Sequence, residues 1–275
     1  MLNIYQPIGA KIKTIKQETK STKLFALEFL DKKISQDFVF APGQIIEIGL
    51  PGFGEAAVAI CSAHQSKKYF EIAVRSVGQL TERIHQLKVG DRIMIRGPFG
   101  RGFLDTKDSD ALLIAGGMGI VPMRSFVLSQ INQKLGGKIT IIYGTKAPDQ
   151  FLFAGEFARW EKDGIKIYQT VDKKDKNWSG EVGPVTVLID KLLKGRTIAP
   201  PKTAVILCGP PQMYEPVIEK LLQNNFFAQN IYLSLERRMS CGVGICQHCA
   251  IGPKYVCKDG PLFPWSEIKD IYNVI

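Results

Sequence analysis

The sequence predicts an antiparallel β-barrel, then a doubly wound α/β domain built on a parallel sheet, then a small cysteine-rich domain at the C-terminal end. Three observations carry this expectation. Phe70-Glu71-Ile72-Ala73-Val74-Arg75 alternates apolar with other residues, as a strand with one buried face does. Ala111-Leu112-Leu113-Ile114-Ala115 is a continuous apolar run, which fits a strand covered on both faces in a parallel sheet. Four of the six cysteines crowd into Cys241-x4-Cys246-x2-Cys249-x7-Cys257. At 275 residues the chain has room for two or three domains. They are expected at 1–104, 105–234 and 235–275.

The barrel rests on punctuation. Ala41-Pro42-Gly43, Pro51-Gly52-Phe53-Gly54 and Gly97-Pro98-Phe99-Gly100 separate short strands at the spacing of a small antiparallel barrel. From Asp110 the rhythm becomes strand, glycine turn, helix, strand. Met123, Val127, Ile131 and Leu135 recur at helical spacing, with Pro122 in the first turn and Gly136-Gly137 at the stop. Further strands are expected at 138–143, 165–169 and 203–207, and helices at 185–193 and 211–223. The cysteine segment is too short to bury a core alone, so a bound group would have to staple it.

Composition narrows the function classes. With 45% apolar and 23% charged residues, disordered and fibrous classes are excluded. No apolar run approaches the ~20 residues needed to span a bilayer. The start, Met1-Leu2-Asn3-Ile4-Tyr5-Gln6-Pro7, lacks the basic end and apolar block of a secretion signal, so a cytoplasmic location with reduced thiols is expected. The net charge of +10 is spread over pairs such as Lys32-Lys33, Lys67-Lys68 and Lys173-Lys174. It reads as solvated surface or as a docking face for an acidic partner subunit, and no platform for nucleic acid accompanies it.

Three motifs carry chemistry. The first three cysteines, Cys241, Cys246 and Cys249, repeat a spacing used to hold a [2Fe–2S] cluster, and Cys257 arrives on a separate short segment. Zinc and two disulfides are the alternatives, although structural zinc usually prefers two close pairs separated by a longer insert. Gly242 and Gly244 let this loop turn tightly and aim N–H groups at sulfur. Gly116-Gly117-Met118-Gly119-Ile120-Val121-Pro122 lies between a buried strand and a helix, where glycines let a backbone approach a pyrophosphate; a plain turn is the bland account. Leu207-Cys208-Gly209-Pro210-Pro211 also ends a strand and opens a helix, so Cys208 either faces a bound ring or is a small apolar residue.

The order of barrel, GGxGxxP turn, CGP turn and cysteine segment resembles the ferredoxin–NADP reductase superfamily. Nearly the whole chain is similar to the branch with a C-terminal [2Fe–2S] domain. That branch includes the electron-transfer subunits of dihydroorotate dehydrogenases, those of anaerobic sulfite reductases, and the gamma subunits of cytoplasmic [NiFe] hydrogenases (sulfhydrogenases). The runs Ser234-Leu235-Glu236-Arg237-Arg238-Met239, Cys241 to Cys249, and Tyr255-Val256-Cys257-Lys258-Asp259-Gly260-Pro261 are most similar to the last two. The resemblance implies FAD on the barrel. Gly78-Gln79-Leu80-Thr81 matches a pyrophosphate turn with Thr81 capping a short helix, and Arg75, after Ala73 and Val74, is placed to pair with the phosphates. Gly97 and Pro98 match the turn after the last barrel strand. Where the superfamily carries Arg-x-Tyr-Ser against the flavin, this chain reads Ala56-Ala57-Val58-Ala59-Ile60, which leaves the main-chain amides of Val58 to Ile60 to meet the flavin's polar edge.

Hydride moves as an electron pair whereas an iron–sulfur cluster accepts single electrons, so a flavin is the expected converter between NAD(P)H and the cluster. The chemistry belongs to the cofactors, and no acid–base dyad or nucleophile is required. With no terminal site of its own, the chain is expected to serve partner subunits of a hydrogenase or reductase complex carrying further iron–sulfur centres. A zinc-stabilised nucleotide-binding protein without turnover is the alternative class. Lys146, in Gly144-Thr145-Lys146, would tolerate a 2′-phosphate, and Asp172 matches a family position near the nucleotide but is equally a turn residue. His248 reads as lying beside the cluster or at the surface, because a Rieske-type centre needs two histidines.

Overall fold

A computed structural model describes residue 3 and residues 5–64, 69–103, 109–195 and 197–275. The Lys67-Lys68 pair, most of the first four residues and the boundary between 104 and 105 lie outside the described residues. The chain divides into two compact units: Met1–Phe103 with Arg124–Ser129 and Glu236–Pro261, and Leu104–Met123 with Gln130–Leu235 and Leu262–Ile275.

In the first unit six strands form one antiparallel sheet. They are β1 (Ile8–Thr19), β2 (Thr22–Phe29), β3 (Ile45–Leu50), β4 (Gly54–Ala59), β5 (Phe70–Arg75) and β6 (Arg92–Phe99), in the order β4-β3-β6-β1-β2-β5. An isolated bridge from Ile60, just past β4, to Ile72 of β5 joins the two edges, so the sheet closes into the expected barrel. Helices α1 (Lys32–Asp37) and α2 (Gln79–Gln86) complete this region. Ile12, Phe25, Leu27, Ile46, Ile48, Ile72 and Ile95 fill the interior at 1% exposure or less. They follow the two-residue period that the alternating pattern requires.

The second unit holds a sheet of seven strands, parallel except at one edge. Its strands are β7 (Asp110–Gly116), β8 (Ile139–Thr145), β9 (Lys166–Val171), β10 (Glu181–Val182), β11 (Thr203–Cys208) and β12 (Ile231–Ser234), in the order β10-β9-β8-β7-β11-β12. Leu262–Pro264 pairs antiparallel with β12 at the far edge. Helices α3 (Ile120–Asn132), α4 (Ala154–Lys162), α5 (Val185–Lys194) and α6 (Pro211–Gln223) connect the strands. The strand order reverses between β7 and β11, and ligands of open α/β sheets collect at such a switch point. Among the described residues no helix is long and apolar enough to cross a membrane.

Helix α3 stops before Leu135, short of the expected glycine stop, because Lys134 takes a left-handed conformation (φ 60°) that no helix continues.

Candidate functional site

Two turns separated by about ninety residues of sequence become neighbours in the second unit. Ala115 of β7 pairs with Cys208 of β11, so both strands release their chains at the same end of the sheet. A Cβ on Gly119 would stand 1.9 Å from the carbonyl oxygen of Cys208, and one on Gly116 would stand 2.7 Å from Pro210. These glycines therefore let the two turns close on each other, while a Cβ on Gly117 (φ 54°) would meet nothing within 4 Å. Pro122 is buried in the first turn of α3, and Gly209 and Pro210 lead into α6. Cys208 itself is 3% exposed. Lys146 and Asp172 stand exposed past the ends of β8 and β9, joined through their backbones: Asp172 N donates to Thr145 O at 3.0 Å and Lys173 N to Lys146 O at 3.0 Å.

The residues expected to hold flavin are distributed along three strands and one helix of the barrel. Strand β4 lies at one end of the sheet order and pairs with β3 in the register Ile45↔Ala59, Glu47↔Ala57, Gly49↔Glu55. Ile60 N donates to Gln44 O at 3.1 Å. By the alternation of an antiparallel ladder, Val58 also turns its N–H toward β3. The amides that point away from the ladder are those of Ala57 and Ala59, which corrects the expectation for Val58 and Ile60. Ala57 is exposed, and Ala56 and Ala59 are partly so.

Ala73 and Val74 are buried, and the Val74 carbonyl accepts from His85 Nε2 at 2.8 Å; Arg75 is exposed at the strand end. Gly78 is the N-cap of α2, and Thr81 caps the same end from the first turn as a capping-box residue: its hydroxyl accepts the N–H groups of Val77 and Gly78 at 2.9 and 3.1 Å. Leu80 packs on the barrel core, and Gly97 and Pro98 are half-buried within β6.

The cysteine segment stands against β6. The Arg96 guanidinium donates to the carbonyls of Ser240 (2.7 Å) and Cys241 (3.2 Å) while gripping Glu55 through Nε and Nη2 at 2.6–3.0 Å. Gly100 N donates to Cys257 O at 2.8 Å and Arg101 N to Gly260 O at 2.5 Å. Gly242 adopts φ 78° where a Cβ would fall 2.5 Å from the Phe99 ring, so only glycine lets the loop lie this close.

The four thiols fall into two pairs. Cys241 and Cys246 interact through their side chains, and Cys249 Sγ lies 3.2 Å from Cys257 Sγ. No two are joined in a disulfide, and among the described residues no three His, Cys, Asp or Glu side chains gather as they would around one metal ion. Two pairs of thiols fit a two-iron cluster, in which each iron takes two protein ligands. Cys241 Sγ accepts the N–H groups of Val243, Ile245 and Cys246 at 3.4 Å, and Cys257 Sγ that of Gly244 at 3.1 Å. Burial opposes a thiolate at Cys241, yet those amides and the Cys246 thiol outweigh it and hold Cys241 at about 6. Burial and the Cys249 thiol push Cys257 up to about 12. His248 is exposed and meets Ser240 Oγ through Nδ1 at 2.8 Å.

Three family models match the chain: an oxidoreductase FAD-binding domain over 9–103, an oxidoreductase NAD-binding domain over 113–218, and the iron–sulfur cluster binding domain of dihydroorotate dehydrogenase B over 236–269. The chain is 37% identical to "Sulfhydrogenase 1 subunit gamma" of Pyrococcus furiosus over 97% of its own length and 93% of the relative's. It is 32% identical to "Probable dihydroorotate dehydrogenase B (NAD(+)), electron transfer subunit" of Methanocaldococcus jannaschii over 97% and 93%. The chain belongs to the family of these electron-transfer subunits. A solved NADH-dependent reduced ferredoxin–NADP oxidoreductase shares its fold, with TM-score 0.75 at 23% identity over 96% of this chain and 94% of that one.

Family membership makes the chain an oxidoreductase with FAD-binding, NAD-binding and iron–sulfur domains and an electron-transfer role. The match over 236–269 also decides between iron–sulfur and zinc for the four thiols. Sequence reading missed the side chains that tie the iron–sulfur domain to the barrel. Arg96 and Glu55 are 41 residues apart and meet only through the β4-β3-β6 register. Between them on β3 lies Glu47, 1% exposed with both carboxylate oxygens unpartnered. The signal was present as a charged residue inside Ile45-Ile46-Glu47-Ile48.

Proposed function

We propose that the chain is the NAD(P)H-linked electron-transfer subunit of a larger cytoplasmic redox complex, of which a [NiFe] hydrogenase is the best-supported kind. The observation that carries this reading is the arrangement of two thiol pairs, supplied with N–H donors and fixed to barrel strand β6 by Arg96. The 37% identity to a sulfhydrogenase gamma subunit supports the choice of complex. Identity of 32% to a dihydroorotate dehydrogenase electron-transfer subunit makes that complex the second reading.

When bound, a flavin exchanges electron pairs with a nicotinamide and single electrons with an iron–sulfur cluster. The chain's part is to bind and orient. Residues Ala56 to Ala59, with the outward amides of Ala57 and Ala59, meet the flavin; Ala73, Val74, Gly97 and Pro98 shape its bed. Arg75, Gly78, Leu80 and Thr81 take its phosphates at the N-terminus of α2. Gly116, Gly117, Gly119 and Pro122 take the nicotinamide cofactor's pyrophosphate at the start of α3, beside Cys208, Gly209 and Pro210. Lys146 accepts a ribose 2′-phosphate, and Asp172 lies near the same ribose. Cys241 with Cys246 and Cys249 with Cys257 each hold one iron. The three activities map onto residues 1–104, 105–234 and 235–275.

The test is native purification under argon with identification of attached subunits by mass spectrometry. Recovery of hydrogenase subunits, and hydrogen-dependent reduction of NADP by the complex, support the reading. Recovery of a dihydroorotate dehydrogenase subunit instead replaces the partner and keeps the carrier role. A colourless preparation without flavin or iron overturns both.

A further inference from the structure

Strand β3 carries Glu47 between two elements that the electron path uses. Across one ladder it faces Ala57 of β4, where the flavin is proposed to rest, and across the other it faces Arg96 of β6, which holds the cluster loop. Directly opposed residues of antiparallel strands project from the same face of a sheet, so the three side chains form one row. Within that row Arg96 is already matched by Glu55, whose two oxygens take its Nε and Nη2. Glu47 has no such partner: it is 1% exposed and neither oxygen accepts a hydrogen bond. An ionised carboxylate so placed is costly, and a neutral one is far less so.

The charged groups acting on Glu47 are Arg96 from β6, which favours ionisation, and Glu55 from β4, which opposes it. Helix α2, also packed against β3, turns Arg83 to the Phe53 ring and His85 to Val74 O. Burial outweighs Arg96 and raises the carboxyl from its usual 4.5 to about 7. A group in that position changes protonation with a small change in local charge.

We propose that Glu47 is the proton-holding residue of the electron-transfer step: it takes up one proton when an electron comes to rest on the cluster and releases it when the electron leaves. The electron comes from the reduced flavin or from the partner complex, the proton from solvent, and the only bond formed is Glu47 O–H. The added negative charge reaches Glu47 through Arg96, whose guanidinium donates to the Cys241 carbonyl and whose charge acts on Glu47 from the paired position on β6. Glu47 acts through Arg96 and is a positioning residue for charge.

The proposal rests on the iron–sulfur reading above, and the experiment separates the two. The midpoint potential of the cluster is followed by paramagnetic resonance from pH 5.5 to 8.5 in the intact complex, for the natural chain and for Glu47→Gln. The natural chain is expected to show up to a tenfold shift in the reduction equilibrium per pH unit near neutrality, which is 59 mV for one electron. Glu47→Gln is expected to flatten that slope while keeping a full cluster signal. Redox-difference infrared spectra of the natural chain, with glutamate labelled by carbon-13, should show a carboxylic-acid band growing on reduction, and this arm stands even if the variant fails to fold. A loaded cluster whose potential ignores pH, or a slope that survives Glu47→Gln, overturns the proposal. A preparation that holds no cluster overturns the underlying reading.

Discussion

The two candidate binding regions are built by opposite means. At the nucleotide turns the work is done by backbone: Gly116 and Gly119 let the turn after β7 close on the Cys208-Gly209-Pro210 turn at the ends of adjacent strands. At the cysteine loop a side-chain network does it, in which Arg96 reaches from the barrel to carbonyls about 145 residues later in the chain. A backbone site is written in short motifs and survives most exchanges around it. A network site is written in register and fails when any one member is removed.

The sharpest way to break this contrast is at the loop. Cys257→Ala should abolish the paramagnetic signal and all electron transfer to the partner while NAD(P)H still binds the second unit; a signal of full size in the variant would mean that the thiol pairing is wrong. Next in size, Arg96→Met leaves two carbonyls without their donor and the part-exposed Glu55 without its cation, a loss of about 2–3 kcal/mol. Denaturation and iron content should both register it.

At the nucleotide turns, Gly119→Ala forces a methyl against the Cys208 carbonyl and should cost about 3 kcal/mol, with nucleotide affinity falling and cluster content unchanged. If the cluster is lost as well, the two regions are not independent.

The Glu47 carboxyl predicts a signed effect of pH. Its folded value of about 7 lies above its usual 4.5, so the folded chain binds the extra proton and loses stability as pH rises between those values. Glu47→Gln removes that loss. It should match the natural chain at pH 4 and exceed it at pH 8 by up to about 3 kcal/mol, read as a rise in thermal midpoint. The smallest effect is expected at Lys146→Ala, where loss of an exposed cation should raise KM for NADPH by up to about fivefold, roughly 1 kcal/mol, and leave KM for NADH unchanged.

Much of the fold was legible because periodicity and punctuation are local. Helix α6 begins and ends where Pro211 and Gln223 were expected, and β5 spans the alternating run from Phe70 to Arg75. Helix α4 was not foreseen: it starts after Phe153, a left-handed residue (φ 59°) with no side-chain cap, so the usual Ser, Thr, Asp or Asn signal is missing. The four cysteines and both glycine turns were legible as motifs. The choice of outward amides on β4 was not, since it depends on which alternate residues face β3, and that phase is fixed by pairing rather than by composition. Arg96 and Glu55 were hidden for the same reason, whereas Glu47 left a trace as a charged residue inside Ile45-Ile46-Glu47-Ile48.

The tie between Arg96 and the carbonyls of Ser240 and Cys241 also sets an order of biogenesis. During translation the barrel strands leave the ribosome first, and the loop that they hold is made only after the whole α/β stretch from β7 to β12. The four cysteines can therefore hold a cluster together only once residue 257 has been made, and a chain that stops before Cys241 carries none of the four thiols.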